Sequence, residues 1–302
     1  MIAAVAPVFA LILLGFGLRR LGFPGDDFWP HCERLVYYLL FPALLVTRLA
    51  VVPLQAEPLA DLALALVLPT LAVSAGLLLL RPLTGLSAAG FTSVFQGGIR
   101  FNTYIALALG AALDPARGLE LTALAAAMLI PLVNLLCVSV LVLFGSDGRA
   151  GWPGLLLQGL ARNPLILACL LGLAINALDL TLPAVVADTA GLLGQTALPL
   201  GLLAVGAGLT LGTSRAQLTA LVLSGTAKLL VLPLLAWGFC LWSGAAPEIT
   251  RIAVMFAALP TASSAYILAR QMGGDHQSMA AIITLQTLLA MFSLPWLLAL
   301  AA

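Results

Sequence analysis

Charged residues are scarce in this sequence. Asp, Glu, Lys and Arg together make up 8% of its 302 residues, and 62% are hydrophobic. A soluble domain carries about 25% charged residues. The scarcity of charge therefore excludes a soluble domain and indicates an all-α integral membrane protein surrounded by the lipid bilayer.

Other absences exclude several functional classes. The sequence has no run of basic residues that would bind nucleic acid. Its cysteines, Cys32, Cys137, Cys169 and Cys240, show neither CxxC spacing nor a neighbouring histidine cluster, so we expect no metal, disulfide or cofactor. An intramembrane protease would need a pair of core aspartates, a core histidine or an HExxH motif. None is present, so we do not expect an enzyme.

Ten apolar stretches are each long enough to cross a bilayer, which requires about 20 residues per helix. The connections between them are short, so no soluble domain is expected. The predicted spans cover residues 2–18, 35–53, 60–80, 88–113, 119–144, 157–177, 184–211, 217–242, 249–270 and 277–300.

The distribution of arginine predicts the orientation of these spans. If the N-terminus lies outside, eight arginines fall in cytoplasmic connections and three fall outside. This imbalance satisfies the positive-inside rule, so both termini are expected to be extracytoplasmic. The eight are Arg19, Arg20, Arg34, Arg81, Arg149, Arg162, Arg215 and Arg270, and the three are Arg48, Arg117 and Arg251.

The two halves of the chain resemble each other in order. Residues 66–72 of span 3 resemble residues 230–236 of span 8, and Pro42 of span 2 corresponds to Pro199 of span 7. Five spans per half is an odd number, which forces the second half into the membrane upside down. Inverted repeats of this kind are typical of transporters. The predicted division is a first repeat over 1–145, a cytoplasmic connector over 146–156 and a second repeat over 157–302.

Span 4 carries polar residues in the middle of an apolar run. Two glycines are followed by Arg100 and by the pair Asn102-Thr103. An arginine at the centre of a span costs roughly 2.5 to 3.5 kcal/mol on insertion scales, so it usually faces protein or a wet cavity. The pattern predicts a broken helix with a binding site at the break. Residues 259–266 of span 9 form the matching polar stretch.

Several motifs resemble bacterial members of the auxin efflux carrier (AEC) family. They are Asn163-Pro164-Leu165-Ile166, Ala197-Leu198-Pro199-Leu200, Ala204-Val205-Gly206-Ala207-Gly208, Pro260-Thr261-Ala262-Ser263-Ser264-Ala265-Tyr266, Arg270-Gln271-Met272-Gly273-Gly274 and Gln286-Thr287-Leu288. The resemblance implies a secondary transporter in the bacterial inner membrane. It also implies the ten-helix fold of plant PIN auxin carriers, bile acid transporters and sodium/proton antiporters.

That fold implies two functional parts. Spans 1, 2, 6 and 7 would form a scaffold that homodimerises, and spans 3 to 5 and 8 to 10 would form a transport domain that moves like an elevator. Broken spans 4 and 9 would cross at the substrate, a small organic anion such as malate, malonate or an auxin-like acid. Pro42 and Pro199 are expected to shape the scaffold surface on which the transport domain slides.

The sequence departs from coupled relatives in one respect. No Asp or Glu lies in the core of any predicted span. A carboxylate-based sodium or proton site therefore lacks its usual ligand. A sodium-coupled symporter resembling the bile acid carriers stays the alternative interpretation.

The two predicted breaks have the chemistry of an anion site. A helix N-terminus carries roughly half a positive charge and several unpaired N–H donors. The half-helices are expected to begin near Asn102-Thr103 and Pro260-Thr261. Small polar side chains there either donate to the substrate or bond back to their own helices. The predicted substrate-binding residues are Arg100, Asn102, Thr103, Asn134, Lys228, Pro260, Thr261, Ala262, Ser263 and Gln286.

Four of these residues have alternative roles. Lys228 lies in mid-span with no core carboxylate to pair with, so it either binds substrate, titrates or neutralises the C-terminal ends of the half-helices. Arg100 either contacts the anion or extends to water. Asn134 and Gln286 either contact the substrate or form hydrogen bonds between helices.

Overall fold

The chain folds into helices. The computed structural model describes residues 2–25, 27–51, 56–114, 117–145, 163–209 and 217–301, and the regular structure in these ranges is helical. The α-helices are α1 (Ile2–Arg20), α2 (Phe28–Leu35), α3 (Phe41–Leu49), α4 (Ala56–Leu80), α5 (Ala88–Ile99), α6 (Thr103–Leu113), α7 (Gly118–Phe144), α8 (Pro164–Ala177), α9 (Ala184–Ala207), α10 (Leu218–Thr226), α11 (Leu232–Ser243), α12 (Pro247–Ala257), α13 (Ser264–Gln271) and α14 (His276–Leu300). A short 3₁₀ turn, Arg81–Leu83, follows α4.

Five helical stretches in the described ranges are long and apolar enough to cross a membrane. They are Ala60–Leu83, Gly118–Phe144, Ala184–Ala207, Leu218–Ser243 and His276–Leu300. They correspond to predicted spans 3, 5, 7, 8 and 10, which confirms an all-helical, multi-pass membrane protein. Predicted spans 4 and 9 are each divided into two short helices, and span 6 is described only from residue 163. The total of ten spans and their inverted repeat therefore stay predictions.

The chain packs into two compact units. Unit 1 comprises Met1–Leu54, Tyr104–Ile130 and Leu160–Leu209, and unit 2 comprises Gln55–Thr103, Pro131–Gly159 and Thr210–Ala302. Each unit draws on both halves of the sequence, so the units differ from the predicted repeats, whose bounds stay a prediction. The predicted connector, 146–156, lies outside the described residues.

Predicted spans divide between the units in a simple way. Spans 1, 2, 6 and 7 fall mainly in unit 1, and spans 3, 8, 9 and 10 fall in unit 2. Spans 4 and 5 are shared, because residues 104–130 cluster with unit 1. This division differs from the expected one, in which spans 4 and 5 belong entirely to the transport domain.

Close helix packing characterises unit 1. Helix α1 packs against α9, and α3 packs against α8 and α9. A Cβ atom built on Gly206 would overlap the carbonyl oxygen of Ile12, so only glycine permits this approach of α9 to α1. Asn176 of α8 donates from Nδ2 to the Leu49 carbonyl at 3.0 Å.

Two helices contain a π-helical turn just before a proline. The turns are Val36–Leu40, between α2 and α3, and Ala227–Val231, between α10 and α11. Pro42 and Pro233 lack an N–H, so the normal hydrogen bond four residues back cannot form. The residue before each proline instead bonds five residues back, which widens the helix. Pro199 lies inside the continuous helix α9, so its local backbone differs from that at Pro42.

Helix α5 is enclosed tightly within unit 2. It packs against α4, α10 and α14. A Cβ atom on Gly97 would lie 2.7 Å from Ile282 Cγ2, and one on Gly98 would lie 2.6 Å from Leu77 Cδ1. The two glycines before the predicted break therefore serve close packing of the last turn of α5.

Candidate functional site

The first helix break, named break 1, spans residues 100–102 between α5 and α6. The last hydrogen bond of α5 runs from the Arg100 N–H to the Gln96 carbonyl at 2.9 Å. The Arg100 backbone then becomes extended, with φ −70° and ψ 157°, and α6 begins at Thr103. The helix is thus interrupted at the position where the sequence predicts it, beside Asn102-Thr103.

The second break, named break 2, spans residues 258–263 between α12 and α13. Pro260 has no N–H to donate and disfavours a helical conformation in the residue before it, so α12 cannot continue. Helix α13 begins at Ser264. The helix therefore begins three residues after the expected Pro260-Thr261, and the Thr261 N–H, which precedes it, binds a side chain of another helix.

Three hydrogen bonds join the two breaks within unit 2. The Asn102 N–H donates to the Pro260 carbonyl at 2.8 Å. Gln286 of α14 donates from Nε2 to the Gly97 carbonyl at 2.9 Å, and its Oε1 accepts from the Thr261 N–H at 3.0 Å. Both ends of this buried amide are engaged by protein groups. We therefore interpret Gln286 as a residue that positions the breaks, the second of its two expected roles.

Arg100 is buried beside Asn134 of α7. Its Nη2 donates to Asn134 Oδ1 at 2.9 Å, and its side chain is 7% exposed. Its Nη1 is buried and has no acceptor in the described part of the chain. Arg100 therefore does not extend to water, and its neutral partner leaves the positive charge uncompensated.

Lys228 is the only lysine of the chain and is 1% exposed. It lies in the π-helical turn Ala227–Val231. Ser224, one turn earlier on the same helix, packs against α5: a Cβ atom on Gly97 would lie 3.0 Å from Ser224 Cβ. The backbone of Lys228 therefore runs beside the last turn of α5, where the helix dipole favours a cation.

The buried ionisable side chains of this region are both basic. Arg100 and Lys228 are the buried Arg and Lys side chains of the described ranges, and the buried polar residues there include no Asp or Glu. A buried charge without a partner is strongly destabilising. The site therefore has an electrostatic preference for a negative ligand.

The break residues differ in their exposure. Asn102 and Thr261 are buried, whereas Thr103, Ala262 and Ser263 are half-buried. The hydroxyl of Thr261 has no hydrogen-bond partner in the described chain. The alternative that this hydroxyl bonds back to its own helix therefore does not hold.

The predicted residues separate cleanly between the two units. All ten predicted substrate-binding residues lie in unit 2, and Pro42 and Pro199 lie in unit 1. Among the residues that the structure describes, no three His, Cys, Asp or Glu side chains form a group that could hold a metal ion. The ligand chemistry available in unit 2 is that of amides, hydroxyls, peptide groups and two cations.

Gln96 is a further candidate site residue, which the sequence motifs did not indicate. It lies in the last turn of α5, its side chain is 0% exposed, and neither amide atom has a partner in the described ranges. Its position four residues before Arg100, on the same helix face, was the available signal. A glutamine inside a membrane helix needs a partner as much as an arginine does.

Comparison with known proteins points to transport. Residues 154–298 match the family described as "Membrane transport protein". The chain is also 28% identical over 315 residues to a protein of Rhizobium meliloti (strain 1021) described as "Putative malonate transporter". That similarity covers 97% of this chain and 93% of the relative.

Proposed function

Because this chain belongs to the auxin efflux carrier family of membrane transporters, we propose that it is a secondary carrier for small organic anions. Carboxylates such as malonate and malate are the proposed substrates. The observation that carries the proposal is a pair of buried cations, without a buried carboxylate in the described chain, beside two joined helix breaks.

Charge is the first support for an anionic substrate. Leaving one charge of a buried pair without its partner destabilises a protein by about 3 to 5 kcal/mol. A bound carboxylate would give Arg100 the negative partner that Asn134 cannot supply. Its oxygens would also accept from Arg100 Nη1, which has no acceptor in the described chain.

The second support is the set of neutral donors at the breaks. Thr103 and Ser263 are half-buried, so they lie at the more accessible edge of the site. Helix α13 begins next to Ser263, and the first N–H groups of a helix attract anions. Small donors of this kind suit a compact carboxylate, which agrees with the substrate in the name of the Rhizobium meliloti relative.

We further propose an elevator-type movement in which spans 3 to 5 and 8 to 10 carry the anion as a transport domain. All ten predicted substrate-binding residues lie in these spans, so the site would move with them. Spans 1, 2, 6 and 7 would then supply the scaffold and the surface of a homodimer. Sodium coupling is the less favoured alternative, because the buried ionisable side chains in the described ranges are basic and would repel a cation.

A current measurement tests the proposal. Purified protein in liposomes on a solid-supported membrane is challenged with malonate, malate, lactate and indole-3-acetate, without a sodium or pH gradient. We expect a saturable current with at least one anion that is abolished in Lys228→Met and Asn102→Ala. Arg34→Gln, at an exposed position of α2, serves as the control and should keep the current. Currents in both site variants equal to that of the wild type would contradict the proposed site.

A further inference from the structure

Three residues at or beside the two breaks carry buried polar groups that have no partner in the described chain. They are both amide atoms of Gln96, Nη1 of Arg100 and Oγ1 of Thr261. Buried polar groups in proteins are almost always hydrogen-bonded. Three such groups in one region therefore point to a ligand.

The backbone segments that carry these three groups are joined by hydrogen bonds. The Arg100 N–H bonds to the Gln96 carbonyl, and side chains four residues apart on a helix are neighbours. Gln286 links Gly97, the residue after Gln96, to the N–H of Thr261, and the Asn102 N–H bonds to the Pro260 carbonyl. The amide, the guanidinium and the hydroxyl therefore belong to neighbouring segments of unit 2, and we name these three groups the Gln96 cluster.

The chemistry of the cluster restricts what it can bind. Arg100 supplies a positive charge, which excludes a metal cation. A carboxylate accepts from Arg100 Nη1, from Thr261 Oγ1 and from the Gln96 NH₂ group, but it has no proton for Gln96 Oε1. When Arg100 Nη1 and Thr261 Oγ1 both donate to the carboxylate, an O–H donor on the ligand, next to the carboxylate, can satisfy Gln96 Oε1.

We propose that Gln96 is a ligand-contacting residue that selects carboxylates carrying a neighbouring O–H donor. This inference rests on the proposed function, because it places the same organic anion against Arg100. Two sources of the donor share this chemistry: the hydroxyl of a 2-hydroxy acid, and the second carboxyl of a dicarboxylate in its protonated form. A primary amide pairs with either group by accepting from O–H and donating to the neighbouring oxygen.

The test compares ligands that differ only in the donor. Binding of malate and succinate, and of lactate and propionate, is measured calorimetrically on purified protein at neutral pH. Malonate is measured in neutral and in mildly acidic buffer. The variant Gln96→Met keeps the length of the side chain and removes its polar atoms, and Gln195→Met makes the same change at an exposed position of α9.

The wild type and Gln195→Met are expected to favour the donor-bearing ligand by about tenfold or more, because a site built to bind O–H rejects analogues that lack it. In Gln96→Met the two ligands should bind about equally. Binding of the donor-free ligand should weaken by about twofold to tenfold, because it loses the hydrogen bond from the Gln96 NH₂ group. A preference for malate over succinate identifies a hydroxyl donor. Tighter malonate binding only in acidic buffer identifies a protonated carboxyl.

Two results would overturn the inference. The first is a wild type that binds donor-bearing and donor-free carboxylates equally in every buffer, which needs no variant and so does not depend on folding of Gln96→Met. The second is a preference that persists unchanged in Gln96→Met. Failure of the wild type to bind any carboxylate is a different outcome, because it contradicts the proposed function itself.

Discussion

Break 1 and break 2 interrupt membrane helices in different ways. Break 1 is short, contains Arg100 and lies next to the buried Lys228. Break 2 is longer, carries no charge and ends in half-buried small residues, Ala262 and Ser263. The difference indicates a division of labour in which break 1 supplies charge and break 2 supplies neutral donors.

The three hydrogen bonds between the breaks make this division possible. Charge alone attracts any anion, and neutral donors alone bind weakly in a wet site. When the charge of break 1 and the neutral donors of break 2 are held close together, the site selects ligands by both their charge and their size. The following variants test separately the hydrogen bonds of Gln286, the charge of Arg100 and a neutral donor of break 2.

Loss of the Gln286 hydrogen bonds that hold the two breaks together should have the largest effect. Gln286→Leu leaves the Gly97 carbonyl and the Thr261 N–H without partners in the protein interior. Each unsatisfied buried group costs about 1 to 3 kcal/mol, so the loss of two partners should lower the free energy of unfolding by about 2 to 6 kcal/mol. Chemical unfolding of the purified variant measures this change.

The control for that variant is Gln195→Leu. Gln195 is exposed on α9, and surface substitutions change stability by about 0.5 kcal/mol or less. Equal unfolding free energies for Gln286→Leu and Gln195→Leu would show that the breaks are not held by this amide.

Loss of the charge in break 1 comes next. Arg100→Gln keeps a donor near Asn134 but removes the positive charge. Hydrogen bonds to charged groups contribute about 1.5 to 3 kcal/mol, which predicts a tenfold to hundredfold loss of malonate affinity. Calorimetric titration measures it, with exposed Arg34→Gln as the matched control. If Arg100→Gln bound malonate as tightly as the wild type, the positive charge that binds the anion would come from Lys228 alone.

A second variant tests the role of the Arg100 charge by pairing it with a carboxylate instead of removing it. Asn134→Asp places a carboxylate where the Asn134 amide oxygen now accepts from Arg100 Nη2 at 2.9 Å. The new ion pair should compete with the substrate and lower malonate affinity by about tenfold. An unchanged dissociation constant, measured by the same titration, would mean that Arg100 does not need a free charge.

Loss of a single donor in break 2 should have the smallest effect. Thr261→Val removes one buried hydroxyl and keeps the shape of the side chain. A neutral hydrogen bond contributes about 0.5 to 1.5 kcal/mol, so affinity should fall about twofold to tenfold. Thr196→Val, at an exposed position of α9, is the control. A loss as large as that of Arg100→Gln would reverse the proposed division between the breaks.

The sequence predicts the helices and their interruptions well, because both depend on local chemistry. Long apolar runs predicted α4, α7, α9 and α14, and the polar stretch at Arg100 predicted break 1. The π-helical turn before Pro42 depends on a missing N–H, yet Pro199 lacks the same group and lies in an uninterrupted helix. A proline alone therefore does not determine the local backbone.

Tertiary partners were harder to predict. The bond from the Thr261 N–H to Gln286 joins residues 25 positions apart in the chain, so no local pattern predicts it. The sequence left two roles open for Gln286, substrate contact and a hydrogen bond between helices, because its position says nothing about what each end of its amide meets. Gln96 was overlooked for the opposite reason, since only the packed structure reveals that its amide has no partner in the described ranges.

The most direct test of the central claim is malonate binding to purified protein in sodium-free buffer. Isothermal titration is carried out on the wild type and on the double variant Arg100→Gln/Lys228→Met. We predict saturable binding to the wild type that sodium does not strengthen, and no measurable binding to the double variant. Equal binding by the two proteins, or binding to the wild type only when sodium is added, would contradict an anion site built on two buried cations.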